Sequence, residues 1–360
     1  MMRLFMLMVV SASAFAINAN RCRGTEQTYP VQVTSVRKIV SDGRHNAFAG
    51  FVMWKGDYWL GFRKASGHTE RDGDIYILRS KDRQKWDESL QIEVAQDDRD
   101  PQFLPTIDRM FVYINSLFEE RLFTAAVVWT NDGTTWSKPQ QVYEPGYILW
   151  KPIEYHGKFY AAAHRPGPLS HRHSHLVTSE DGINWKKLST IREAQGESET
   201  TLHFGESGVL TAFLRSQKTV DGAILESKRP YNQWTERSAG VHLSGQSAYT
   251  FDGVTYVLSR FLQFDPPFPP GTLRVKEAGR KLDQATIIYT YDRHAEQPLK
   301  PYCLLGPLDG NHDSSYPTVV RDGNHMLVVF HRAAHPYEGS FRFQDAADLF
   351  MARVPLKGQQ

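Results

Sequence analysis

One short element recurs along this chain at a nearly fixed interval, and it limits the fold more than any other feature. Ser80-Lys-Asp82-Arg-Gln-Lys-Trp86, Thr130-Asn-Asp132-Gly-Thr-Thr-Trp136 and Ser179-Glu-Asp181-Gly-Ile-Asn-Trp185 share a hydroxyl, an aspartate and a tryptophan. A fourth copy, Ser227 to Trp234, keeps the hydroxyl and the tryptophan but lacks the aspartate. Their first residues stand 50, 49 and 48 positions apart. Such a period marks an array of similar supersecondary units. In step with it, turn residues lead into apolar strands at Gly56, Asp108, Gly157, Gly208, Gly253 and Gly323, each preceded by another short apolar run. These are six hairpins. No long stretch carries apolar residues at helical spacing.

Each unit reads as inner strand, turn, second strand, loop, third strand, aspartate turn and fourth strand. The expected fold is therefore all-β: a six-bladed β-propeller of four-stranded antiparallel blades. The last unit ends at Asp348 to Val354 without room for a fourth strand. Val31 to Val40, ahead of the first repeat, is expected to supply it and close the ring. Residues 25–356 then form a single domain.

The aspartate turn has a structural explanation. Its carboxylate can accept the N–H groups of its own turn, and its tryptophan can anchor one sheet against the next. No catalytic role is assigned to it. Hydrophobic residues make up 41% of the chain, enough for a sizeable core, and the formal charge of +2 gives no reason to expect a nucleic-acid partner.

The N-terminus has the order of an export signal: Arg3, an apolar run from Leu4 to Val10, then small residues through Ala14-Phe15-Ala16. Residues 1–19 are expected to be removed, with cleavage near 16–19, leaving a secreted or periplasmic protein without a membrane span. Two cysteines, Cys22 and Cys303, leave one disulfide or two thiols open.

A hairpin returns to the end from which it started, so inner-strand starts and second-strand ends share one face near the axis. Those positions offer His45, Asn46, Asp100, Trp150, Lys151, Glu199, Gln246, Ser315 and Tyr316, together with Arg63, Asn115, His164, Arg215, Arg260, His331 and Arg332. Convergence of so many polar groups points to ligand binding. Two long loops add to that face. One follows the fifth hairpin, with Phe264 to Gly271 and the basic Arg274, Lys276, Arg280 and Lys281. The other carries His171, His173 and His175, which could hold a divalent metal but have no paired carboxylate nearby; a solvated or substrate-facing loop is expected instead. No metal or other cofactor is expected.

The repeated Ser/Thr-x-Asp-x-x-x-Trp element resembles the Asp-box, or BNR repeat, of the sialidase (neuraminidase) superfamily, and the likeness extends over nearly all of the chain after residue 19. Glu199-Thr-Thr-Leu through Arg215 is similar to a family segment with glutamate at a strand start and arginine at a strand end. Arg260 stands where a second arginine belongs. Tyr316, in Ser-Ser-Tyr-Pro-Thr-Val-Val-Arg, resembles the segment bearing a nucleophilic tyrosine. Asp72 or Asp74, before Ile75-Tyr-Ile-Leu, takes the place of the acid/base aspartate.

The resemblance implies a monomeric exo-glycoside hydrolase acting on a terminal acidic sugar. Tyr316 would be activated by Glu199, and Arg63, Arg215 and Arg260 would grip the carboxylate. The remaining funnel residues Asn46, Trp150, Lys151, His164, His331 and Arg332 would line the glycan site.

One family signature is missing. Where Arg-Ile-Pro is expected, the chain has His45-Asn46-Ala-Phe. His45, His68 and Tyr316 instead suggest the acid–base set of a lyase acting on uronic-acid glycans. A non-catalytic glycan-binding propeller is the third reading. Arg63 and Arg215 also have an architectural explanation, as ion-pair partners of strand-start carboxylates.

Overall fold

In the computed structural model the described residues are 29–118, 122–205, 207–265, 272–273, 281–309, 311–334 and 346–358. Residues 1–28, which hold the expected export signal and Cys22, lie outside them, as do residues 266–271 and 274–280 of the fifth-hairpin loop. Cys303 is buried and free of any disulfide.

The chain is an all-β propeller. It opens with β1 (Ser35–Val40), then β2 (His45–Trp54), β3 (Asp57–Ala65), β4 (Asp74–Ser80) and β5 (Asp87–Ile92). The next sheet holds β6 (Asp97–Pro105), β7 (Met110–Leu117), β8 (Phe123–Thr130) and β9 (Gln140–Val142). A third holds β10 (Ile148–Tyr155), β11 (Lys158–Arg165), β12 (His173–Ser179) and β13 (Lys186–Glu193). The fourth has β14 (Glu197–Phe204), β15 (Leu210–Ser216), β16 (Ala223–Ser227) and β17 (Thr235–Ser238). The fifth has β18 (Ser247–Phe251), β19 (Val254–Asp265), β20 (Lys281–Tyr291) and β21 (Leu299–Leu305). Last come β22 (Ser314–Asp322), β23 (His325–Ala333) and β24 (Ala347–Pro355).

Six separate sheets were expected; four four-stranded sheets and one eight-stranded sheet are observed. The large sheet runs β22-β23-β24-β2-β3-β4-β5, with β1 antiparallel to the other side of β24. Its two halves meet at a single parallel pair, His45 opposite Ala347. No helix among the described residues is long and apolar enough to cross a membrane.

The repeated turn shows why its residue types recur. Asp132 Oδ1 accepts the N–H groups of Thr134 and Thr135, both at 2.7 Å, while Thr130 Oγ1 accepts that of Gly133 at 2.8 Å. Asp82 with Ser80, and Asp181 with Ser179, repeat the pattern. In the copy lacking the aspartate, Ser227 donates to the Gln233 carbonyl instead. The tryptophans reach toward the neighbouring sheet, Trp136 against Trp59 and Trp185 against Tyr113.

Gly133 occupies a left-handed conformation, φ +76°, and a Cβ there would lie 2.8 Å from the Trp59 ring. The glycine thus satisfies both the turn and the seam between sheets. Gly133→Ala is expected to destabilise the fold by about 1–3 kcal/mol, read as a lower denaturant midpoint with an unchanged slope. An unchanged midpoint would show that the seam yields freely.

Candidate active site

A backbone irregularity recurs at the start of the inner strands. Register breaks fall between Ala47 and Gly50 in β2, Arg99 and Gln102 in β6, and Trp150 and Ile153 in β10. Two more lie between Glu197 and Thr200 in β14 and between Ser315 and Thr318 in β22. At four of the five, the first unpaired residue is left-handed: Phe48 (φ 58°), Asp100 (52°), Lys151 (39°) and Tyr316 (53°). Non-glycine residues hold such angles at a cost of about 1–3 kcal/mol, and the cost is most often met at functional positions. Pro101, Pro152 and Pro317 follow three of them, so the interrupted ladder lacks an N–H that would otherwise go unpaired.

The bulges bring Tyr316 and Glu199 together. Tyr316 donates its hydroxyl to Glu199 Oε1 at 2.6 Å, and Arg215 Nη1 reaches the same oxygen at 2.7 Å. The Gly245 N–H donates to Oε2 at 2.8 Å. Gly245 is left-handed, and a Cβ on it would stand 2.7 Å from the Tyr316 ring. Glycine is the residue that admits the tyrosine here. Arg260 lies over the same ring at 5.3 Å, and Phe48, Trp150 and His331 pack around it. Arg215 Nε and Arg260 Nη2 are buried with no hydrogen-bond acceptor among the described residues, Arg260 Nη2 standing 3.7 Å from Asp313 Oδ1.

Burial would raise the Glu199 pKa, but the Arg215 charge, the Tyr316 hydroxyl, the Gly245 N–H and Arg260 outweigh it and hold the group at about 2. Tyr316 is pushed upward by burial and by the Glu199 charge, against the two arginines. Asp100 is pushed up to about 7, mainly by burial and also by Glu199, with Arg99 opposing. Lys151, whose Nζ donates to the Pro317 carbonyl at 3.2 Å, is lowered to about 8 by burial, with Asp100 and Glu199 opposing. A cavity of about 440 Å³, lined by Gly50, Gln102, Lys151, Thr201, Ser247 and Thr318 among others, touches the site at Lys151, while Tyr316, Glu199, Asp100, Arg215 and Arg260 stand outside its lining.

Several candidates take other positions. Arg63 is fully buried: its Nε meets Asp97 Oδ1 at 2.8 Å, and its two Nη atoms donate to the Gly67 and Glu70 carbonyls. All of its nitrogens are engaged, so it is an architectural ion pair and not a carboxylate grip. Asp72, at the rim, accepts from the Ser66 N–H and pairs with Arg44; Asp74 accepts from Gln91. Neither contacts Tyr316 or Glu199 among the described residues, because Asp72 precedes β4 and Asp74 opens it, on the outer side of β3. A carboxyl group with a raised pKa within electrostatic reach of the tyrosine is Asp100. It was legible as a strand-start residue, but the burial that gives it a raised pKa was not.

Asn46 is buried at the start of β2, donating to Asp42 and the Arg44 carbonyl. Arg332 pairs with Asp309 at the rim. His164 is buried beside Trp150 and lowered to about 4 by burial. Of the three histidines expected in one loop, His173 and His175 lie on β12, where His175 meets the Tyr143 hydroxyl and His173 faces Glu193. His45, His68 and His331 gather instead on Asp313, a residue that the sequence analysis did not single out.

Arg63→Met is expected to lower stability by about 3–5 kcal/mol, since Asp97 loses a buried partner. Chemical unfolding measures it. A fully stable variant would mean that Arg99, 2.6 Å from the other Asp97 oxygen, suffices alone.

No family model matches the sequence, and no curated protein matches it. Solved structures do resemble the fold. A Trypanosoma rangeli sialidase mutant displaying trans-sialidase activity superposes with a TM-score of 0.62 at 14% identity, over 86% of this chain and 54% of that one. The phage phi92 endosialidase gives 0.67 at 9% identity, over 91% and 70%. A Hadza microbial sialidase gives 0.59 at 16% identity, over 88% and 66%. The chain thus spans about half the length of the trypanosomal enzyme. At these identities the likeness concerns architecture alone, and the chain has a sialidase-like β-propeller fold.

Proposed function

We propose that this chain is an exported glycoside hydrolase that removes a terminal acidic sugar, with Tyr316 as nucleophile. The observation that carries the reading is the 2.6 Å hydrogen bond from Tyr316 to a Glu199 carboxylate that also holds Arg215. A neutral phenol is a poor nucleophile unless a base accepts its proton. The sheet pattern supports a six-bladed ring: six apolar clusters join successive strand sets, and the last joins β22–β24 to β2–β4. In this reading the eight-stranded sheet is two blades touching at one bridge, with β1 completing the outer one and closing the ring.

Each residue then has a definite task. Arg215 and Arg260, which have buried guanidinium N–H groups without acceptors among the described residues, bind the sugar carboxylate. That carboxylate competes with Glu199 for Arg215. As Arg215 turns to the substrate, Glu199 loses its largest stabilising charge and becomes more basic when it must take the Tyr316 proton. The phenolate oxygen attacks the anomeric carbon, and Asp100, protonated below about pH 7, gives its proton to the leaving oxygen. Water then attacks the same carbon, Asp100 takes the water proton, and Tyr316 leaves and recovers its own proton from Glu199. The lyase alternative would use His45, His68 or Tyr316 as the base; His45 and His68 each give one ring nitrogen to Asp313, whereas the Tyr316 hydroxyl already faces a carboxylate acceptor.

A panel of terminal acidic-sugar glycosides and polyuronates tests the proposal. Release of free sugar is expected without the ultraviolet absorbance of an unsaturated uronate, and Tyr316→Phe should lower kcat by at least about 100-fold. Appearance of that absorbance would favour the lyase, and binding without turnover would favour a glycan-binding module.

The pH profile tests the acid separately. A proton donor must hold its proton, so kcat/KM for an alkyl glycoside should fall as pH rises through about 7. Asp100→Asn should abolish that limb and cost about 100-fold on alkyl glycosides, but much less on aryl glycosides, whose leaving groups need no proton. An equal loss on both would remove Asp100 from this role.

A further inference from the structure

Beside the tyrosine, three chain segments bring two imidazoles to one carboxylate oxygen. His45 opens β2, His68 lies in the loop after β3, and Asp313 immediately precedes β22. His45 Nε2 stands 2.8 Å and His68 Nδ1 2.9 Å from the same atom, Asp313 Oδ2, and the three atoms all lie within 4.8 Å of one another. We propose that His45 Nε2, His68 Nδ1 and Asp313 Oδ2 form a binding site for a divalent transition ion of the zinc class.

The donor set selects the ion. Two imidazole nitrogens and one carboxylate oxygen suit zinc and its neighbours, whereas calcium and magnesium prefer all-oxygen sites. Bonds of about 2.0–2.2 Å to each donor place tetrahedral ligand atoms about 3.4 Å apart, so an ion would move each nitrogen outward from Asp313 Oδ2, now 2.8 and 2.9 Å away.

The surroundings resemble those of a built metal site. His331 Nε2 holds the other carboxylate oxygen, Oδ1, at 3.1 Å, and Asn311 Oδ1 accepts the Asp313 backbone N–H at 3.1 Å. Both contacts fix the orientation of the carboxylate, as outer partners of metal ligands commonly do. Arg260 lies 3.7 Å from Oδ1, the oxygen turned away from the two imidazoles. His45 and Asp313 are buried, and the His68 side chain is 19% exposed.

The Phe48 ring packs against His45, His68, His331 and Tyr316, and so stands between the cluster and the nucleophile. The site depends only on the three ligands and holds whether or not the hydrolase reading is correct.

Zinc titration of the full chain, stripped beforehand with a chelator and followed by calorimetry, tests the proposal. One equivalent of Zn²⁺ should bind, and Mg²⁺ should give no heat. His68→Ala, at the partly exposed position, should weaken zinc binding at least about 10-fold. His173→Ala, at the start of β12, should leave it unchanged. Co²⁺ loading gives a second readout: its visible absorption bands should change in His68→Ala and in Asp313→Asn, with circular dichroism checking that each variant is folded. Absence of stoichiometric zinc binding would overturn the proposal. So would binding that survives in both folded His68→Ala and folded His45→Ala, or that is lost in His173→Ala.

Discussion

The candidate site depends on one backbone constraint, the interruption of the ladder where the inner strands begin. A regular strand alternates its side chains between the two sheet faces, where packing against neighbouring sheets consumes them. The bulge removes one residue from that alternation and redirects its side chain. Repeated on β2, β6, β10, β14 and β22, it gathers Phe48, Asp100, Lys151, Glu199 and Tyr316 from positions distant in sequence. Apolar contacts between sheets make the frame rigid enough to hold the left-handed angles. The fifth inner strand contributes Gly245, whose missing side chain leaves the space taken by the Tyr316 ring.

Burial then differentiates chemically similar groups. Glu199 and Asp100 are both carboxylates facing the same region. Arg215 and three hydrogen-bond donors or charges keep Glu199 ionised, while Asp100 lacks an equivalent set and holds its proton to about pH 7. Asp313 falls on the ionised side, because the histidines around it and their hydrogen bonds outweigh its burial. Three carboxyl groups thus differ in protonation because their environments differ.

The sequence conveyed the architecture better than the chemistry. Repeats at nearly fifty residues, hairpin turns and the aspartate turns each have a local physical cause, so the all-β radial plan could be read directly. The division into sheets could not, since the single bridge between His45 and Ala347 is a matter of spacing alone. For the site, Tyr316, Glu199, Arg215 and Arg260 were legible from their places at strand ends. Arg63 shared that place, yet Asp97 and two carbonyls engage it, and strand position does not show which arginines are already paired. The proline that follows Asp100, Lys151 and Tyr316 was the available signal for the bulges. Asp313 gave none, because its importance comes from histidines brought to it by folding.

The claim at the centre of this account is that the Tyr316 oxygen becomes covalently joined to the sugar. Incubation with an activated fluorinated acidic sugar, followed by proteolysis and mass spectrometry, measures this directly. The account predicts one sugar adduct, on the peptide containing Tyr316, and none in Tyr316→Phe. An adduct on an aspartate or glutamate peptide, or turnover of the parent substrate with Tyr316 never modified, would contradict it.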